Sequence, residues 1–255
     1  MKRTIFFASL CLVFQFKMYS NTNSIVLLPY MEVKPVFELV KKIFPKEITI
    51  LEAGAYTGDE TITMNNFWPK SKIYTFEPDP IAYKDLKSKI KSYKNIKAYP
   101  IALGEKDGIA KFYPSKFVGN SEAPGASGSL LKPKEHITLA TFVEFKNEID
   151  VKTMTLDSWA KKYNIKSIDF LWLDMQGFEL IALQHGTNIL KTTKVIYTEV
   201  EFKEAYANQP LFTDVKNWLN QQGFELIAID VELKNDKPIN KEYWFGNALF
   251  IRKMH

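Results

Sequence analysis

Cysteine, arginine and histidine are scarce in this 255-residue chain: the sole thiol is Cys11, the arginines are Arg3 and Arg252, and the histidines are His136, His185 and His255. One thiol near the N-terminus excludes a disulfide within the chain and a zinc site built from thiolates, but it identifies no compartment. The shortage of arginine matters as well. The net charge of +5 rests almost wholly on lysines, which alternate with acids instead of clustering among aromatics, so the surface reads as solvated and no nucleic-acid partner is expected. With so few histidines and no carboxylate cluster legible along the chain, no metal is expected either. A membrane-spanning run is also lacking, because the apolar stretch Ile5–Phe14 is shorter than the roughly 20 residues a spanning helix needs.

That stretch follows Lys2 and Arg3 and precedes a polar segment from Ser20 to Ser24. Residues 1–24 therefore have the form of a secretory leader, or of an uncleaved anchor associating the protein with a membrane, since no small-x-small cleavage site follows. If the leader is unused, the protein is cytoplasmic. Localisation stays open on these grounds, as does the oligomeric state.

An apolar content of 46 % can fill a large core, and the length fits one large α/β domain over residues 31–255. From Met31 onward, helix-like and strand-like segments alternate. The spacing predicts a helix at 35–44, a strand at 48–54, a helix from Asp59 to about Asn66, a strand at 72–77, a helix from Pro80 to about Lys91, and a strand "IKAYPIAL" at 96–103. After a β-rich insertion with a mobile loop, between Gly104 and Ile149, the alternation resumes. It gives a helix at 155–163, a strand at 167–174, a helix at 178–185, a strand at 194–202 and a helix at 211–221. Such alternation builds a mostly parallel sheet covered by helices on both faces. The last two strands, 224–230 and 247–253, are joined by a loop too short for a helix, so they should pair antiparallel at the sheet edge.

In an open α/β sheet, ligands bind beyond the carboxyl ends of the strands. "ILEAGAYTGDET" (50–61) sits at such an end. Gly54 permits a sharp turn and close backbone approach, Gly58 lets the next helix begin near its strand, and Glu52 can accept a hydrogen bond from a cationic amine. An acid two residues before the first glycine would be unwelcome beside a pyrophosphate. The next strand ends in "FEPDP", where Glu77 can bind both hydroxyls of a ribose and the prolines stop the strand and start a helix.

Together with "NIKAYPIALGEKDG" (95–108) and "IDFLWLDMQGFELIALQHG" (168–186), these motifs resemble the FkbM-type family of S-adenosylmethionine-dependent methyltransferases, over about residues 48–252. The resemblance implies a Rossmann-like class I methyltransferase fold, with a mostly parallel seven-stranded sheet, an antiparallel C-terminal strand and the β-rich insertion. It implies S-adenosyl-L-methionine as cofactor, with Glu52, Gly54 and Gly58 at its methionine end, Glu77 at its ribose, and Ala102 among the cofactor-binding residues. It also implies O-methylation of a small-molecule or glycan acceptor, such as a sugar or a natural-product-like hydroxyl compound. The sequence departs from the commoner family form "KIDVEG" at Trp172 and Gln176, while Asp174 and Gly177 remain.

A hydroxyl acceptor needs a proton acceptor in reach. Asp174, at the end of a central strand, is the first candidate, either in that role or as an acid orienting substrate or cofactor. Glu199 is the second; with Glu201 it alternates around Val200, so both face one side, either an acceptor pocket or a solvated edge. His185 lies near a helix end, where the dipole accounts for it, and His136 is expected to be exposed on the insertion. The loop "APGASGSLL" (123–131), with Ser129 at a position of the family pattern, has the composition of a flexible lid. Two other functions compete. A nicotinamide dehydrogenase is disfavoured by the G-x-x-x-G spacing and the antiparallel ending, and an exported, non-catalytic binding protein on the same fold is suggested by the leader.

Overall fold

The computed structural model describes residues 25–119 and 123–253; the leader assigned to 1–24 and His255 lie outside the described residues. The main sheet has eight strands: β1 Val26–Leu27, β2 Thr49–Ala53, β3 Lys72–Phe76, β4 Ile96–Tyr99, β5 Phe170–Leu173, β6 Val195–Glu201, β7 Phe224–Ile229 and β8 Phe245–Arg252, in the order β1-β7-β8-β6-β5-β2-β3-β4. Helices alternate with these strands as expected, including Asp59–Phe67, Pro80–Lys89, Glu179–Gln184 and Phe212–Gln221. This is the Rossmann-like class I architecture. No described helix is long and apolar enough to cross a membrane.

Strands β2 and β5 show why the centre is parallel and doubly covered. Leu51, Ala53, Leu171 and Leu173 pack into the core on one face, while Ile50, Phe170 and Trp172 pack on the other, the period-2 alternation of a strand buried on both sides. Trp172, the residue that departs from the family lysine, is a core residue with its ring 4.3 Å from Tyr197 and 5.1 Å from Phe37.

Three details differ from the sequence reading. The sheet has one strand more than the seven expected, because the two-residue β1 pairs parallel with Ala228 and Ile229 of β7. The closing strands do pair antiparallel, but β8 inserts between β6 and β7, so neither is the outermost strand. The segment 96–103 is two strands rather than one. Pro100 has no N–H to continue the ladder, and beyond it Ala102–Leu103 leaves the main sheet to pair with Ile149–Met154, which also pairs with Gly108–Phe112.

The register of the central strands fixes the site. Ala53 is the partner of both Phe76 on β3 and Leu173 on β5, so the next residues, Gly54, Glu77 and Asp174, leave the sheet side by side. The "FEPDP" motif then turns the chain: Asp79 Oδ1 caps the following helix by accepting from Ile81 N at 2.7 Å and Ala82 N at 3.3 Å, with Pro80 in the first turn.

Candidate active site

A cleft opens at these strand tips, lined by the turn Gly54–Tyr56, by Glu77–Asp79, by Ile101–Leu103 and by Asp174, and covered by Gly125, Ala126, Gly128 and Leu130 of the insertion. Five of the residues singled out in the sequence, Gly54, Glu77, Ala102, Trp172 and Asp174, line it together. Glu52, Gly58 and Glu199 stand behind the lining.

Gly54 (φ +85°) has no room for a side chain, since a Cβ would lie 1.6 Å from the carbonyl oxygen of Asp174. Glycine here lets two strand tips touch. Gly58 (φ +89°) starts the helix Asp59–Phe67, and a Cβ there would meet Leu86 at 2.6 Å. Between them Tyr56 also takes positive φ, at +49°, and its N–H donates to Glu77 Oε2 at 2.8 Å, while Asp79 N donates to Oε1 at 2.7 Å. Both Glu77 oxygens are thus aimed by backbone amides. Burial pushes its pKa up to about 8, against the pull of those two amides.

Glu52 is fully buried and is not among the residues that line the cleft. Its Oε2 accepts from Thr61 Oγ1 at 2.5 Å and Thr75 Oγ1 at 2.6 Å, whereas Oε1 is buried without a partner. Burial raises its pKa to about 7. In this arrangement Glu52 braces the base of the glycine turn through Thr61 on the helix that follows it.

Asp174 sits at the centre of an acidic group. Its side chain and those of Glu179 and Glu199 bring oxygens within 4.8 Å of one another, which corrects the expectation that no carboxylates cluster. The three come from β5, the next helix and β6, so no short motif announces them. Burial raises Asp174 to about 6 and Glu179 to about 8, and it pushes Glu199 and Glu201 well above the usual carboxylate range. Gln176 joins the group: its Nε2 donates to Asp174 Oδ1 at 2.8 Å and to Glu199 Oε2 at 2.7 Å. Met175 N donates to Glu179 Oε1 at 2.5 Å.

The described part of the loop over the cleft, expected from its composition to be a flexible lid, is held by hydrogen bonds in this structure. Tyr56 Oη donates to Pro124 O at 2.7 Å, Gly125 N to Ser115 O at 2.9 Å, Ser127 N to Ser115 Oγ at 3.0 Å, and Ser129 Oγ to Gln176 O at 2.8 Å. Small residues allow this fit, since a Cβ on Gly128 would strike Phe112 at 2.5 Å. His136 is also corrected. It is buried beneath this insertion, with Phe145, Tyr206 and Trp244 rings 5.1, 5.2 and 5.3 Å away, and burial lowers its pKa to about 4. His185 behaves as expected at a helix end, its Nδ1 2.8 Å from Ile181 O.

Sequence reasoning overlooked Tyr56, Glu179 and Tyr206. Glu179 left a signal, as an acid between Phe178 and Leu180 in an apolar helix; Tyr206 lies in a loop and left none.

Residues 52–226 match the family model described as the Methyltransferase FkbM domain. The chain belongs to the FkbM methyltransferase family. The matched span runs from Glu52 to Leu226 and so contains every residue of the cleft named above. Among curated relatives, the chain is 30 % identical over 172 residues to the 2-O-methyltransferase NoeI of Sinorhizobium fredii, covering 68 % of this chain and 71 % of that protein. It is 25 % identical over 148 residues to Methyltransferase 1 of Beauveria bassiana, covering 55 % and 59 % respectively. Similar solved structures include a magnesium protoporphyrin IX methyltransferase from Synechocystis, with TM-score 0.49, 12 % identity, and coverage of 87 % of this chain and 78 % of that one. An rRNA methylase from Streptococcus thermophilus has TM-score 0.49 and 11 % identity, with coverage of 91 % and 100 %.

Proposed function

We propose that this FkbM-family chain transfers a methyl group from S-adenosyl-L-methionine to a hydroxyl of a small-molecule or glycan acceptor, such as a sugar or a natural-product-like compound. The observation that carries this reading is the charge of the cleft. Glu60, Glu77, Asp79 and Asp174 line it, and its described lining contains no lysine, arginine or histidine. Such a cleft suits a cationic nucleoside bearing a diol and repels the pyrophosphate of a dinucleotide. The acidic first turn, Asp59 and Glu60, works in the same direction, since two carboxylates beside that helix N-terminus repel a pyrophosphate.

S-adenosyl-L-methionine supplies an electrophilic methyl group when bound. The chain's own residues hold and orient. Glu77, aimed by two backbone amides, would accept from the ribose hydroxyls, and the glycine turn would bring backbone close to the rest of the donor. The tied loop 123–131 would keep water out. Asp174, facing the cleft with a pKa of about 6, would be largely ionised at neutral pH and able to take the proton of an acceptor hydroxyl. The 2-O-methyltransferase among the relatives supports oxygen as the methylated atom.

No metal is needed in this account, because the Gln176 amide already supplies donors to Asp174 and Glu199. Incubation with labelled donor and a panel of sugar and lipid-linked hydroxyl compounds tests the whole reading. Label should pass to a hydroxyl oxygen and transfer should persist in EDTA. Binding of S-adenosylhomocysteine with no transfer to any hydroxyl compound would favour a non-catalytic binding protein.

A further inference from the structure

Gln176 is bound at every polar atom of its side chain. Its Nε2 donates to Asp174 Oδ1 at 2.8 Å and Glu199 Oε2 at 2.7 Å, and its Oε1 lies 3.0 Å from Tyr206 Oη. The Tyr206 hydroxyl also lies 2.9 Å from Ser127 O, so one proton serves two acceptors. The backbone at Gln176 takes φ +56°, uncommon for a non-glycine residue, and its carbonyl accepts from Ser129 Oγ at 2.8 Å. The residue therefore joins the ends of β5 and β6 to the loop that covers the cleft. Such a side chain is not free to rotate, and the amide can present only its nitrogen to the acids, because an oxygen there would face two acceptors.

We propose that Gln176 is the positioning residue of the site, an amide clamp that gives one N–H to Asp174 and the other to Glu199 and so fixes the Asp174 carboxylate at the rim of the cleft. This rests on the reading of Asp174 as proton acceptor in methyl transfer. Asp174 has two side-chain hydrogen-bond partners, Gln176 and Glu199, the latter with its pKa held well above the usual carboxylate range by burial. Without the clamp Asp174 keeps only the bond to Glu199, and its charged form loses a donor. Glutamate at this position could donate at most one hydrogen bond, and only when itself protonated. Glutamine serves both acids at every pH.

The test is a carboxyl titration by NMR on the full chain labelled with 13C at the aspartate carboxyl, the Asp174 signal being assigned with Asp174→Asn. Several ionisable groups act on Asp174: Glu52 on β2 and Glu60 on the helix after it, Glu179 on the helix after β5, Tyr197, Glu199 and Glu201 on β6, and Tyr206 beyond it. All of them stay in place when only residue 176 is changed. Loss of one charge-assisted donor in Gln176→Met should move the Asp174 midpoint upward by about one pH unit, and Gln176→Glu should move it further. An Asp174 midpoint unchanged in both variants overturns the clamp. Should Gln176→Met fail to fold, Gln176→Glu, equal in size, reads the same midpoint. The titration requires neither donor nor acceptor, so an inert wild-type enzyme would count against methyl transfer and leave this comparison standing.

Discussion

The α-carbon of Gly54 faces the backbone carbonyl of Asp174 so closely that a single methyl group would sit 1.6 Å from its oxygen. The turn that should hold the donor and the acid that should receive the proton are therefore set against each other by the absence of a side chain. Gly54→Ala must shift one of the two tips and place alanine at φ +85°. The backbone conformation alone costs roughly 1–2 kcal/mol, so a lower Tm together with loss of S-adenosylhomocysteine binding by calorimetry is the expected outcome.

Glu77 links donor affinity to pH. Its pKa of about 8 in the free protein means that at lower pH a proton must leave before both oxygens can accept from a diol. Affinity for S-adenosylhomocysteine should rise as pH approaches 8 and then level off, with proton release detectable by calorimetry in buffers of different ionisation enthalpy. Glu77→Gln should remove that release.

Glu52 carries a stability prediction. Its pKa in the folded protein, about 7, lies above its unfolded value, so the folded state binds the extra proton. The associated stability is complete below about pH 4.5 and is lost as pH rises through about 7. Glu52→Gln, which cannot ionise, should therefore match wild type near pH 4 and exceed it near pH 8, by about 3 kcal/mol at most. Urea unfolding at the two pH values measures the difference.

Asp174→Asn should lower kcat by on the order of 100-fold or more while donor binding persists. In wild type, kcat should climb with pH through about 6, as the carboxylate forms, and this rise should vanish in the variant.

Legibility in the sequence followed the range of the forces involved. The alternation of helix and strand, the cap and proline of "FEPDP", and the two glycines at positive φ are local, and each reads directly from residue type and spacing. The break at Pro100 was equally local, but it was hidden inside an apolar run that otherwise looked continuous. The two-residue β1 has too few residues for any period to show, and only β7 gives it a place. What governs the site electrostatically is longer in range. Thr61 and Thr75 hold Glu52, and Gln176 joins acids 25 residues apart, pairings set by the register of β2, β3, β5 and β6. His136 looked exposed because nothing near it in sequence indicates that Tyr206 and Trp244 close over it.

Calorimetric titration of the full chain with S-adenosylhomocysteine and, separately, with NADH tests most directly whether the acid-lined cleft holds a nucleoside without phosphates. Saturable binding of S-adenosylhomocysteine, weakened on the order of 10- to 100-fold by Glu77→Ala, with no heat from NADH, is the predicted result. Binding of NADH in its place, or a Glu77→Ala variant that binds S-adenosylhomocysteine as tightly as wild type, would contradict it.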